Sequence, residues 1–167
     1  LTIGAHSRVT PHVMTTAEIE DVIDAFAKAA ARVAGAGLDG VEVNMFAGGM
    51  AQQFLSPLSN QRTDRFGGDL ENRIRFSIEV IRQVRQAIGP DRALALKISA
   101  DDFMEGGMHL PQMQEVVKRI DQEARIEYYV VASGSNLGWF ARIDHWPPSP
   151  SSYEPFAALA RGIKAVT

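Results

Sequence analysis

The sequence predicts an α/β protein on a parallel sheet, and three observations predict it. Helix-like and strand-like segments alternate along the chain. The central strand, Ala93-Leu94-Ala95-Leu96-Lys97-Ile98-Ser99, is almost all apolar, as suits a parallel strand buried on both faces. The long connections follow strands and the short ones precede them, which places a site at the strands' carboxyl ends. The chain has 167 residues, 46% hydrophobic and 22% charged, the length and composition of one ordinary globular domain.

The elements follow in order. Ile19, Val22, Ile23, Phe26, Ala30 and Val33 recur at helical spacing between Ala17 and Ala36, with Thr15 and Glu18 as a capping box and Gly35 and Gly37 at the end. Leu38 to Asn44 reads as a short strand, and a polar, Gly-rich stretch runs from Met45 to Asp69. Leu70 to Ile88 is a helix with Ile74, Ile78, Ile81, Val84 and Ile88 on one face, stopped by Gly89-Pro90. After the central strand, Pro111 marks a first helical turn, followed by Met113, Val116, Val117 and Ile120. Tyr128 to Ser133 is the third strand, Gly134 to Ser152 a long loop, and Phe156 to Val166 a closing helix.

Composition excludes several functions. A net charge of −3 gives no basic bias toward nucleic acid or an anionic membrane. The absence of cysteine excludes disulfides, Cys-ligated zinc, iron–sulfur ligation and a thiol nucleophile within these residues. No apolar run approaches the roughly 20 residues of a membrane span. His6, His12, His109 and His145 have no ligand spacing and read as solvated or loop-bonding, with His145 beside Trp146 a weak exception, so no metal site is expected. The chain starts at Leu1 without an initiator Met and stops directly after a helix, and three strands cannot close a barrel. The expectation is either a small three-stranded domain or a piece of something larger.

The most informative stretch is Asp39-Gly40-Val41-Glu42-Val43-Asn44, then Gln53-Phe54-Leu55-Ser56-Pro57-Leu58-Ser59-Asn60-Gln61-Arg62-Thr63-Asp64-Arg65-Phe66-Gly67-Gly68-Asp69-Leu70-Glu71-Asn72-Arg73. It strongly resembles the old yellow enzyme family, also called the NADH:flavin oxidoreductase family. The resemblance extends back through Pro11 to Thr15 and forward through Lys97-Ile98-Ser99. Around Gly134–Pro148 it is most similar to the amine-dehydrogenase and demethylase branch, typified by trimethylamine dehydrogenase. It implies a partial (β/α)8 TIM barrel, with these strands like the fourth to sixth and residues 1–167 a single incomplete barrel. It also implies FMN as cofactor, NAD(P)H as an electron donor, and hydride transfer between flavin N5 and a small-molecule substrate, with an N-methylated amine one candidate. The alternatives are an inert truncated barrel, or a half-barrel that needs a partner to bind flavin. A third, a small binding domain unrelated to flavin, is disfavoured by the motif. The polar residues of the long motif are expected to tie the loop to itself and to the next helix rather than to do chemistry.

Lys97 is the best single candidate for chemistry. A lysine in so apolar a run must pair, snorkel or reach an anion. In the family an arginine at this position lies near the flavin N1–C2=O edge, where a cation favours reduction; pairing with Glu42 is the structural alternative. Asn44 stands where enone-reducing members carry a substrate-binding His. The second member of that pair would be Ala47 and the tyrosine proton donor would be Gly49, so the enone-reducing set is incomplete. Asn44 also reads as a strand-end cap for the following loop. Trp139 resembles an aromatic wall of the amine branch's substrate bowl, and Trp146 is a second candidate wall or loop packing. The branch's acidic residue three positions after the tryptophan is here Arg142. The phosphate-binding strands and iron–sulfur cysteines of the family have no counterpart in this stretch. Weak FMN binding by the isolated chain, self-association through open sheet edges and a cytoplasmic location are expected.

Overall fold

The computed structural model describes residues 12–46, 48–135 and 155–167. Its elements are α1 (Thr16–Gly35), β1 (Gly40–Met45), α2 (Met50–Leu55), α3 (Leu70–Ile88), β2 (Ala93–Ser99), α4 (Leu110–Glu123), β3 (Tyr128–Ala132) and α5 (Pro155–Lys164). The strands form one parallel sheet in the order β1-β2-β3. These are the three parallel strands with flanking helices that the alternation predicts.

Side chains on a strand alternate between faces, and the sheet uses this to separate core from site. Val43, Met45, Leu94, Leu96 and Ile98 are at most 5% exposed and join Ile19, Ile23, Ile74, Ile81, Val84, Val116, Val117 and Ile120 in one core beneath the helices. Burial of each such aliphatic side chain contributes roughly 1.5–3 kcal/mol before entropy is charged against it. The other face carries Glu42 and Asn44 from β1, Ala95 and Lys97 from β2, and Val130 from β3, none of which belongs to that core cluster.

The α1 start is the expected capping box. The Thr15 hydroxyl accepts from the Glu18 N–H, and the Glu18 carboxylate accepts from the Thr15 N–H. Three strand boundaries differ from expectation: β1 begins at Gly40 and reaches Met45, and β3 stops at Ala132. The short helix α2, inside the stretch read as an irregular loop, is an addition. It is held by tertiary packing, because Phe54 stacks on Phe76 of α3 with ring centroids 4.4 Å apart, and Leu55 is buried.

The polar motif behaves as its structural reading requires. The Asn60 amide donates to the Phe54 and Phe66 carbonyls at 2.6 and 2.7 Å. Arg62 pairs with Asp64 and reaches the Met14 carbonyl. Arg73 donates to the carbonyls of Leu55 and Gly68, and Asp69 caps α3. The two glycines serve different needs. Gly68 takes φ of +90°, whereas a Cβ on Gly67 would lie 2.2 Å from the Arg62 carbonyl oxygen.

Candidate functional site at the carboxyl ends of the strands

Parallel register sets Asn44 beside Lys97 and Lys97 beside Val130, one row across the sheet near its carboxyl end. Adjacent backbones in such a row lie about 4.8 Å apart. Two of the candidate residues are therefore brought together on the face away from the helices. Trp139 and Trp146 lie outside the described residues, as do Ala47 and His145.

Lys97 is half-buried, between Leu96 and Ile98, both fully buried on the opposite face. The expected alternative partner, Glu42, is not its partner. The Lys97 ammonium lies 4.7 Å from the centroid of the Phe46 ring, and no carboxylate pairs with it among the described residues. Asn44 is exposed, and its Oδ1 accepts the Phe46 N–H at 3.0 Å. This is the strand-end cap expected of it, and it leaves the amide N–H pair directed elsewhere.

Beneath this row a buried hydrogen-bond network joins the three loops that follow the strands. Asp102, 1% exposed, accepts from Gln52 Nε2 at 2.5 Å, from the Ser56 hydroxyl at 3.0 Å and from the Met108 N–H at 2.9 Å. Gln52 in turn accepts from the Gly48 N–H at 2.6 Å and approaches the Gly134 carbonyl, to which the Ser99 hydroxyl donates at 2.7 Å. Desolvation pushes the Asp102 carboxyl above its ordinary value and neighbouring Asp101 adds to the rise, while the three donors pull it down without overcoming burial. Ser133 and Ser135, on either side of Gly134, are themselves buried.

Sequence reasoning missed Phe46, Gln52 and Asp102. Only Asp102 left a trace, in that it precedes the paired glycines Gly106-Gly107, where a Cβ on Gly107 would lie 2.9 Å from the Asp102 Cβ. The wider clefts, about 860 Å³ beside β3 and α5 and about 230 Å³ beside Arg62, include neither Asn44 nor Lys97. The carboxyl-end row on this sheet face, rather than either cleft, is the site candidate.

Among the described residues no group of acidic, His or Cys side chains could hold a metal ion, and no helix is long and apolar enough to cross a membrane. The profile of the NADH:flavin oxidoreductase / NADH oxidase family matches residues 2–150. The chain belongs to this family. It is 39% identical over 124 residues to an NADH oxidase of Thermoanaerobacter brockii, covering 74% of this chain and 19% of that protein. It is 36% identical over 164 residues to the N,N-dimethylglycine/sarcosine dehydrogenase of Chromohalobacter salexigens, covering 95% of this chain and 23% of that one. Among solved structures, histamine dehydrogenase from Rhizobium sp. 4-9 superposes with a TM-score of 0.80 at 28% identity, covering 98% of this chain and 23% of that one. The chain thus spans about a fifth of the length of these relatives.

The family is one of flavin-dependent oxidoreductases that draw on NAD(P)H. FMN is the cofactor of this family, and the Asn44–Lys97 row is partly exposed. The row offers a cation that pairs with no described carboxylate and, from Asn44, an amide whose oxygen is engaged by the Phe46 N–H and whose nitrogen is a donor.

Proposed function

We propose that this chain forms an arc of the cofactor and substrate wall of an FMN-dependent oxidoreductase. The observation that carries the reading is the Asn44–Lys97 row at the carboxyl end of a parallel sheet, with Lys97 paired to none of the described carboxylates. When bound, FMN supplies a hydride acceptor and donor at N5. Lys97 would hold the pyrimidine edge, placing positive charge where reduction adds negative charge. Asn44, its Oδ1 engaged by the Phe46 N–H, offers only N–H donors to a substrate oxygen or nitrogen.

An N-methylated amine is the substrate class we favour. The resemblance of the Gly134–Pro148 region to amine dehydrogenases supports it, as does the similarity to the dimethylglycine/sarcosine dehydrogenase. Trp139 and Trp146 are the proposed aromatic walls for its cationic head. Gly49, in the tyrosine's place, has no proton to give, which argues against ordinary enone reduction. NAD(P)H is the proposed electron donor, a small molecule the only substrate partner, and the location cytoplasmic.

The deciding experiment is FMN titration and reduction of the full-length protein carrying this chain, with Lys97→Met and Lys97→Arg. The expected result is a preference for reduced over oxidised FMN that falls about tenfold in Lys97→Met and survives in Lys97→Arg. An unchanged preference in Lys97→Met rejects the reading. A second reading, in which the isolated 167-residue chain is inert until it meets a partner, is supported by β1 and β3 each pairing on one side only among the described residues. Light scattering tests it, and a strictly monomeric chain that binds FMN at micromolar concentration would overturn it.

A further inference from the structure

We infer that Phe46 is a positioning residue for Lys97, its ring holding the ammonium at the site without cancelling the charge. The inference rests on the flavin reading above.

A lysine side chain is a point charge on a flexible four-carbon stem, and fixing it costs rotamer entropy. A carboxylate would restrain it more tightly but would neutralise the field it exerts. An aromatic face restrains it by attraction to the ring quadrupole and leaves the net positive charge in place. The Lys97 ammonium lies 4.7 Å from the Phe46 centroid, within the range of that interaction.

Phe46 is itself held in place by the chain around it. Its N–H donates to Asn44 Oδ1 at 3.0 Å, and its carbonyl accepts the Gly49 N–H at 2.8 Å. A Cβ at position 49 would lie 2.7 Å from the same carbonyl oxygen, so the turn closes only around glycine. The residue that removes a proton donor from this loop is therefore the residue that lets the loop close behind Phe46. Asn44, Phe46 and Lys97 form one unit: Asn44 is the register neighbour of Lys97 and also fixes the backbone that carries the ring.

The experiment is a double-mutant cycle in the full-length protein, read as the ratio of affinities for reduced and oxidised FMN. Phe46→Leu is expected to lower that ratio about threefold to tenfold, Phe46→Trp to preserve it, and Phe46→Leu with Lys97→Met to match Lys97→Met alone. An effect of Lys97→Met with a silent Phe46→Leu overturns this inference and leaves the flavin reading standing, and so do independent, additive effects. A silent Lys97→Met overturns both. A second arm needs no flavin and no variant that must fold: the Lys97 ε-methylene protons should show an upfield ring-current shift in the NMR spectrum of the unsubstituted protein. Their appearance at ordinary lysine positions overturns the pairing.

Discussion

The two ends of the sheet are tied down by opposite chemistry. At the amino end, where the helices finish, cations collect carbonyl oxygens. Arg85 donates to the carbonyls of Gly89, Arg92 and Arg125 and pairs with Glu127 at 2.7 Å, while Arg92 reaches the carbonyls of Ala34, Ile88 and Leu38. At the carboxyl end, where the helices begin, carboxylates collect N–H groups. Asp69 takes the Asn72 N–H, Asp101 the N–H groups of Phe103 and Leu110, and Asp102 that of Met108. The division follows from what each helix end leaves unpaired, carbonyls at its last turn and N–H groups at its first. It leaves the site end rich in acceptors, where Arg62 pairs with Asp64 while Lys97 pairs with none of the described carboxylates.

The largest break in this pattern is expected from Asp102→Ala. It strands the Gln52, Ser56 and Met108 donors in a buried space and should cost about 4 kcal/mol by urea denaturation. Unchanged stability would mean that the three loops are not joined through this carboxylate. The same residue gives a pH signature. Burial raises its pKa, so the folded chain keeps a proton that the unfolded chain has lost. Its contribution is complete below the ordinary aspartate value of 3.8 and is lost as pH rises from there through the raised folded value. Asp102→Asn should flatten that part of the stability profile.

At the same end, Gly67→Ala should cost about 3 kcal/mol, because the new Cβ would lie 2.2 Å from the Arg62 carbonyl oxygen and the backbone must shift. Gly68→Ala, where the only difficulty is the positive φ, should cost about 1 kcal/mol. Thermal melts of the two variants test the order, and equal shifts would remove the distinction between space and backbone angle.

Much of the fold was legible because periodicity is local. Leu94, Leu96 and Ile98 announce β2, and Ile74, Ile78 and Ile81 announce α3, before any contact is known. The helix α2 was not legible, since its six residues acquire their reason only from Phe76 and the buried floor beneath them. The site divides in the same way. Asn44 and Lys97 are readable as polar residues at strand ends. Phe46 and Asp102 gain their roles from turns that bring them to partners, 51 residues away for Phe46 and Lys97 and 50 for Gln52 and Asp102. Glu42 shows the limit of reading by face, because it shares the Lys97 face and does not pair with it.

The amino end offers the smaller test. Arg85→Leu keeps the apolar stem and removes the donors to three carbonyls and the pair with Glu127. The expected cost is about 2 kcal/mol, less than at Asp102, because these carbonyls lie closer to solvent and water can replace part of what is lost. Burial alone would raise the Glu127 carboxyl. The Leu94 N–H, Arg85 and Arg125 outweigh it and hold the group below its ordinary value. Its contribution is therefore present above the ordinary glutamate value of 4.5 and lost as pH falls through the lower, folded one. The two ends thus respond to acid in opposite senses, Glu127 losing stability where Asp102 regains it. In Arg85→Leu the acid-side loss should shrink while the Asp102 component stays, and a loss of both together in pH-dependent melts would mean that the two networks are coupled through the sheet.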